Sequence, residues 1–268
     1  MSSFPNIFDS HVHSAASPDS EMLPNEAIDA LATQGMGCIF TEHLDFFPKT
    51  GSDFMVDLDF YPRAYLPYRS RTVLLGLEIG LTAECIVKNR MVANSADFDY
   101  IIGSVHVPDF TNGVDLAFFG EHLSKMQESG EEFYRLYLSY VLDMIQQNDF
   151  FDALGHIDYI SRYSPLPGSL YEDFPEEYDA VFRAVVENDK VLEFNTARMG
   201  NERDKDVRQN LFAIYSRYHA LGGRFVTLGS DAHTLARLGY QFPAALQLLS
   251  EIGLQIVYFS ERKRICKT

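Results

Sequence analysis

Ile7-Phe8-Asp9-Ser10-His11-Val12-His13 is a short apolar, strand-like run that breaks off into histidine. The same grammar recurs along the chain. β-Branched and aliphatic runs at 7–12, 38–41, 73–78, 100–105, 151–155, 191–194 and 225–229 read as seven strands. Six of them end in polar groups: Asp9-Ser10-His11-Val12-His13, Glu42-His43, Glu78, His106, His156-Ile157-Asp158 and Ser230-Asp231-Ala232-His233. Between the strands lie amphipathic stretches at 24–34, 133–147, 206–221 and 243–252. The first has Pro24 at its start and Gly35 as its stop, and the third is closed by Gly222 and Gly223. Strands alternating with helices predict an α/β fold with a parallel sheet and crossover helices. In a parallel barrel the carboxyl ends of all strands open onto one face, so these scattered polar groups are expected to converge.

Composition bounds what that face can do. The chain has 268 residues, 46% apolar and 22% charged, which is ordinary for a globular protein and fits one barrel-sized domain over 1–268. With 22 basic against 38 acidic side chains the formal charge is -16, which disfavours nucleic-acid partners without excluding a locally positive pocket. No run of about 18 apolar residues suggests a membrane span, and residues 1–6 lack a signal-peptide pattern, so a cytoplasmic protein is expected. Cys38, Cys85 and Cys266 are far apart, odd in number and without a CxxC spacing, so buried free thiols are expected rather than disulfides or a thiolate zinc site. Residues 46–70 and 107–131 are the least regular, and loops that long in a compact domain commonly serve as lids.

The chemistry at the strand ends is that of a metal site. His11 and His13 alternate on one strand, so both imidazoles face the same side and can grip one ion. Asp231 and His233 share that offset. Imidazole nitrogen mixed with carboxylate oxygen, without thiolate, suits zinc, iron or manganese better than calcium. Six of the eight histidines fall at strand ends, and only His122 and His219 are assigned to solvent or a helix surface. A single one, such as His106 or His156, is by itself an ordinary core or loop residue. Together, that many ionisable groups in one mouth would leave unpaired charge unless ions were bound. Asp9 and Glu42 are read either as partners that orient imidazoles or as surface acids at strand ends.

With those residues in view, the chain resembles the polymerase and histidinol phosphatase superfamily, and within it the histidinol-phosphate phosphatase family; the match in order and spacing runs from Asp9 to His233. The resemblance implies a distorted (β/α)7 TIM-like barrel with three divalent metal ions. It implies one ion held by His11, His13, Glu78 and Asp231, a second sharing Glu78 with His106 and His156, and a third on His43, His233 and Asp19. Many relatives have histidine at the position of Asp19, which can still coordinate.

Clustered divalent cations would make the mouth positive inside an acidic protein and draw in an anion such as a phosphate ester. The expected reaction is in-line attack by a metal-bound hydroxide, with Asp231 or His233 relaying a proton to the leaving alkoxide. Arg162 and Arg198 lie just past strand ends and are expected to clamp the phosphoryl oxygens, ahead of Arg203, Lys205, Arg208 and Arg237. The alternative for both is a surface salt bridge. Glu42 and Asp45 are the candidates for recognising an amine or imidazole on the substrate. The resemblance implies a small phosphorylated metabolite, L-histidinol phosphate, and a monomer or homodimer in histidine biosynthesis. The competing readings are a phosphodiesterase or nucleotide phosphatase of the same superfamily, and a metal-stabilised binding module without catalysis.

Overall fold

Alternation within each strand decides which residues face the barrel interior and which face the helices. The computed structural model describes residues 7–47, 49, 51, 53–108, 130–162, 171–200 and 207–266, with backbone alone for 161 and 162. The strands are β1 (Phe8–Val12), β2 (Gly37–Asp45), β3 (Phe54–Met55), β4 (Val73–Gly80), β5 (Tyr100–Ser104), β6 (Ala153–Leu154), β7 (Val191–Asn195), β8 (Phe225–Gly229), β9 (Gln255–Ser260) and β10 (Lys263–Cys266). The helices are α1 (Pro24–Thr33), α2 (Tyr61–Tyr65), α3 (Ile86–Ala93), α4 (Gly130–Gln147), α5 (Pro175–Glu187), α6 (Val207–Ala220) and α7 (Phe242–Ile252). Pro24 supplies a fixed φ in the first turn of α1, and Gly35, at φ +73°, takes the left-handed conformation that lets the chain leave it.

Strands β1, β2, β4, β5, β6, β7 and β8 pair in that order, each parallel to the next. These are the seven strands expected, in a distorted α/β barrel. The distortion has a visible cause at β8. Its start pairs with β9 through Phe225 and Val226, while just past its end Ala232 bridges to Val12 of β1. There His13 N–H donates to the Ala232 carbonyl at 2.9 Å and Ala232 N–H donates to the His11 carbonyl at 3.3 Å. The β9–β10 hairpin, which was not anticipated, wedges in below that seam. Phe8 stacks on Tyr258 at 4.2 Å between centroids and Tyr100 on Phe259 at 5.4 Å.

Ile39, Leu74, Tyr100, Ile102, Ala153 and Val191 form the inner apolar cluster with Phe8, Val257 and Phe259. Their sequence neighbours Phe40, Leu75, Ile101, Leu154 and Leu192 belong to the outer core under the helices. Burying each large apolar side chain contributes roughly 1.5–3 kcal/mol. Carrying the inner register toward the carboxyl ends reaches His43 and Asp45 on β2, Glu78 on β4, Ser104 and then His106 after β5, and Glu193 and Asn195 on β7. On β1 the register shifts between Asp9 and Val12, so Phe8 and His11 both turn inward although they are three residues apart.

Cys38 and Cys85 are buried free thiols, but Cys266 is exposed because it ends the edge strand β10. Among the described residues no helix is long and apolar enough to cross a membrane. Of the two irregular stretches, 46–70 contains β3, α2 and a single 3-10 turn at Leu66–Tyr68, while most of 107–131 lies outside the described residues.

Candidate metal centre

Glu78 is fully buried at the end of β4, and five imidazole nitrogens surround its carboxylate. Oε2 lies 3.2 Å from His11 Nε2, 3.5 Å from His13 Nε2 and 3.1 Å from His43 Nδ1. Oε1 lies 3.2 Å from His106 Nε2 and 2.8 Å from His156 Nε2, and it accepts from Ser104 Oγ at 2.7 Å. The structure brings together all nine side chains expected as ligands. Asp231 Oδ1 is 3.5 Å from His11 Nε2 and 3.4 Å from His13 Nε2; Asp19 Oδ2 is 2.9 Å from His233 Nε2 and 3.5 Å from His43 Nε2.

These contacts sort into three cages. His11, His13, Glu78 and Asp231 form one, in which the two Nε2 atoms are 3.0 Å apart. Glu78, His106 and His156 form another, with 3.4 Å between the Nε2 atoms, and Asp19, His43 and His233 a third, also with 3.4 Å. Four donors around a tetrahedral ion at 2.0–2.2 Å are about 3.3–3.6 Å from one another. The first cage matches that edge length on most sides. A hydrogen-bonded explanation fits less well, because His11 Nδ1 donates to Glu193 Oε1 at 2.5 Å and His106 Nδ1 to Asp45 Oδ1 at 2.8 Å. In the neutral rings those bonds leave each Nε2 lone pair facing carboxylate, and against burial the surrounding carboxylates hold both imidazoles well above their usual range, so the pocket calls for positive charge between them. Glu78 Oε2 is buried and receives no hydrogen bond. The residues present therefore fit divalent cations.

The electrostatics point the same way. Burial, reinforced by the facing rings of His43 and His233, holds His13 well below the usual imidazole range, so it stays a neutral donor. Burial also opposes charge on His43, but Asp19 and Glu78 outweigh it and lift that imidazole to about 10. Burial resists ionisation of Asp19 too, yet His233 and His43 prevail and hold its carboxyl well below the usual range. The acidic lining favours positive charge in this mouth.

Backbone conformation aims the last ligands. Asp231 has φ +54°, a left-handed conformation that aspartate tolerates better than most residues. Ser230 on one side donates to Asp9 from its N–H at 2.9 Å and its hydroxyl at 2.6 Å; Gly239 N–H adds a third bond at 2.9 Å. Asp9 thus touches no imidazole side chain and is not a surface acid; it is buried and anchors the turn carrying Asp231 and His233. Burial pushes its carboxyl up to about 6 against the bonds from Ser230 and Gly239.

Of the two acids expected in substrate recognition, Glu42 is corrected. Glu42 is fully buried on the outward register of β2, where it accepts from Ser14 N–H at 3.0 Å, Ser14 Oγ at 2.5 Å and Ser17 Oγ at 2.6 Å. It reaches the site only through Ser17, whose hydroxyl is 3.3 Å from His13 Nδ1. Asp45 faces inward among the imidazoles, with Oδ1 on His106 Nδ1 and Oδ2 3.7 Å from His43 Nδ1. Glu42 does not line the mouth. Phe54 of β3, from the irregular 46–70 stretch, lies against the His43 ring at 5.3 Å.

Arg198 follows β7 and is nearly buried, with Nη1 3.3 Å from Asp158 Oδ2. It is therefore in a salt bridge at the barrel mouth, not on the outer surface. The Arg162 side chain, Arg203, Lys205 and His122 lie outside the described residues. Arg208 is exposed on α6, His219 is half-buried near its end, and Arg237 is bonded to the Ala197 carbonyl and lies over the Tyr240 ring. Sequence reading missed Glu193, although a carboxylate inside the apolar run Val191-Leu192-Glu193-Phe194 was a signal that something had to hold it.

A parallel α/β barrel whose strand ends meet in a mouth of histidine and carboxylate defines a metal-binding barrel protein. The chain belongs to the PHP domain family, whose model matches residues 9–197. It is 38% identical to a probable histidinol-phosphatase of Clostridium acetobutylicum, over 96% of this chain and 98% of the relative. It is 31% identical to the histidinol-phosphatase of Lactococcus lactis subsp. lactis, over 95% of each. The fold is similar to the crystal structure of histidinol phosphate phosphatase from L. lactis, complexed with zinc, L-histidinol and phosphate: TM-score 0.84, 28% identity, covering 97% of this chain and 99% of that one.

Proposed function

We propose that this chain is a metal-dependent phosphomonoesterase that hydrolyses L-histidinol phosphate to L-histidinol and phosphate, serving histidine biosynthesis. The observation that carries the reading is the cluster around Glu78, in which three donor cages share one mouth. The near full-length relatives named for this activity, and the neighbour that holds zinc, histidinol and phosphate, support the substrate.

Three divalent ions fit the three cages, with zinc supported by the neighbour and iron and manganese by the same donor chemistry. Bound there, they supply Lewis acidity that ionises water near neutral pH and neutralises charge on the phosphoryl oxygens. The side chains do the rest. Glu78 holds two cages together. Arg198, held by Asp158, turns its planar fork to the phosphate, and Arg162 is the second arginine assigned to that role from the sequence. Asp231 or His233 passes a proton to the leaving alkoxide; His233 is the more open, at 29% side-chain exposure against 5%. A phosphate ester does not cross a bilayer unaided, which supports action in the cytoplasm where such metabolites are made. We place the whole of 1–268 in one phosphatase domain acting as a monomer or homodimer.

The experiment compares phosphate release by metal-loaded protein from histidinol phosphate, a nucleoside monophosphate and a phosphodiester at equal concentration. The expected result is a clear preference for histidinol phosphate. Faster turnover of the diester or the nucleotide would replace this reading with the corresponding one.

A further inference from the structure

Strand β7 is the one barrel strand with no proposed ligand at its carboxyl end, yet its two inward polar residues touch three of the ligand-bearing segments. Glu193 Oε1 accepts from His11 Nδ1, while Oε2 accepts from the backbone N–H of His156 at 2.8 Å and from Asn195 Nδ2 at 3.3 Å. Asn195 Nδ2 also lies 3.4 Å from Asp231 Oδ2. Both residues are buried, Glu193 almost completely. The pair therefore reaches a ligand on β1, one after β6 and one after β8.

The neighbouring strand is shaped to admit it. Gly229, at the end of β8, faces Glu193 and His11, and a Cβ there would collide with the Glu193 carboxylate and the His11 side chain. A carboxylate buried in this position costs free energy unless its acceptors are filled, and here the bonds filling them run to ligand-bearing residues.

We propose that Glu193 and Asn195 are positioning residues for the metal centre: Glu193 fixes the tautomer and direction of His11 and the backbone of His156, and Asn195 fixes Asp231. Removing such support from a ligating histidine typically weakens metal binding 10–100-fold. The inference rests on the phosphatase reading only for its kinetic arm; the metal arm stands apart from it.

The test uses Glu193→Gln, Glu193→Ala and Asn195→Ala in the full chain. Zinc affinity is measured by competition with a chromophoric chelator, the fold by circular dichroism, and kcat and KM on histidinol phosphate. Glu193→Gln keeps the volume and an acceptor for His156 N–H but loses the charge facing His11. It is expected to lose about 10-fold in zinc affinity while remaining folded, and Glu193→Ala more, with kcat falling and KM little changed. A folded Glu193→Gln that binds zinc as wild type does would show that the residue only fills space, and would overturn the proposal. If the Glu193 variants do not fold, Asn195→Ala decides: a several-fold loss of zinc affinity supports the proposal, and unchanged affinity overturns it. If wild-type protein leaves histidinol phosphate intact, the function reading fails, but the zinc measurements still judge this inference.

Discussion

Glu42, His43 and Asp45 are near neighbours in the chain, and parity separates the first from the other two. His43 and Asp45 face inward, whereas Glu42 faces Ser14 and Ser17 behind the strand. The histidines were legible from sequence because imidazoles repeatedly ending apolar runs have few other uses. The supporting acids were legible only as acids near the imidazoles, since one dimension does not show whether a strand carboxylate faces the lumen or the helices. Two outcomes belong to this scale. Arg198→Ala should lower kcat/KM about 10–100-fold, the loss of one charged hydrogen bond of about 1.5–3 kcal/mol, with metal content unchanged; wild-type kinetics would remove Arg198 from the mouth. Glu78→Gln should reduce the zinc retained per chain on elemental analysis, because an amide brings N–H groups where the imidazoles need an anion; full retention would contradict the shared-carboxylate geometry.

At the scale of elements, what propensity announces and what packing requires diverge. The helices at 24–34 and 206–221 were visible through their Pro and Gly punctuation, and the structure places α1 and α6 there with ends shifted by about a residue or less. Helix α5 carries the same kind of signal, Pro175 followed by Glu176 and Glu177, but followed a stretch without clear period and went unread. Strands β9 and β10 went unread although Ile256-Val257-Tyr258-Phe259 is an apolar run; β9 is half-buried, with Val257 and Phe259 in the inner core. Gly80 illustrates packing between strands: a Cβ there would strike the Asp45 carboxylate. Gly80→Ala should therefore cost about 1–3 kcal/mol and lower the thermal midpoint by several degrees in a calorimeter; an unchanged midpoint would mean Asp45 has room to move. Asp179 on α5 accepts from Arg217 Nε on α6 at 2.8 Å, and that bond, outweighing burial, holds its carboxyl below the usual value. The sign follows: stability from this pair is present above the unfolded carboxylate value near 4 and is lost as pH falls through the lower folded value. Asp179→Asn should therefore destabilise the protein at pH 7, and by progressively less as pH falls below about 4, in denaturant titrations; an equal loss at every pH would assign the effect to packing.

The candidate metal centre is where the whole molecule meets itself, since the side chains that would hold ions come from β1, β2 and β4 and from the segments after β1, β5, β6 and β8. Cations binding the folded chain and not the unfolded one must stabilise it. Treatment with a strong chelator should lower the melting temperature, and zinc should restore it; indifference to both would argue that the cluster holds no ions. By itself the sequence determined the α/β class, the succession of seven strands and the residue types able to ligate, because those follow from periodicity and donor chemistry along the chain. Tertiary structure alone decided that β9 would wedge under the seam between β8 and β1, that Asp9 and Glu42 would be buried and hydrogen-bonded, and that Glu193 and Asn195 of β7 would reach His11, His156 and Asp231. Those outcomes depend on which side of each strand faces the lumen and on what lies across the sheet, and neither relation exists until the barrel has folded.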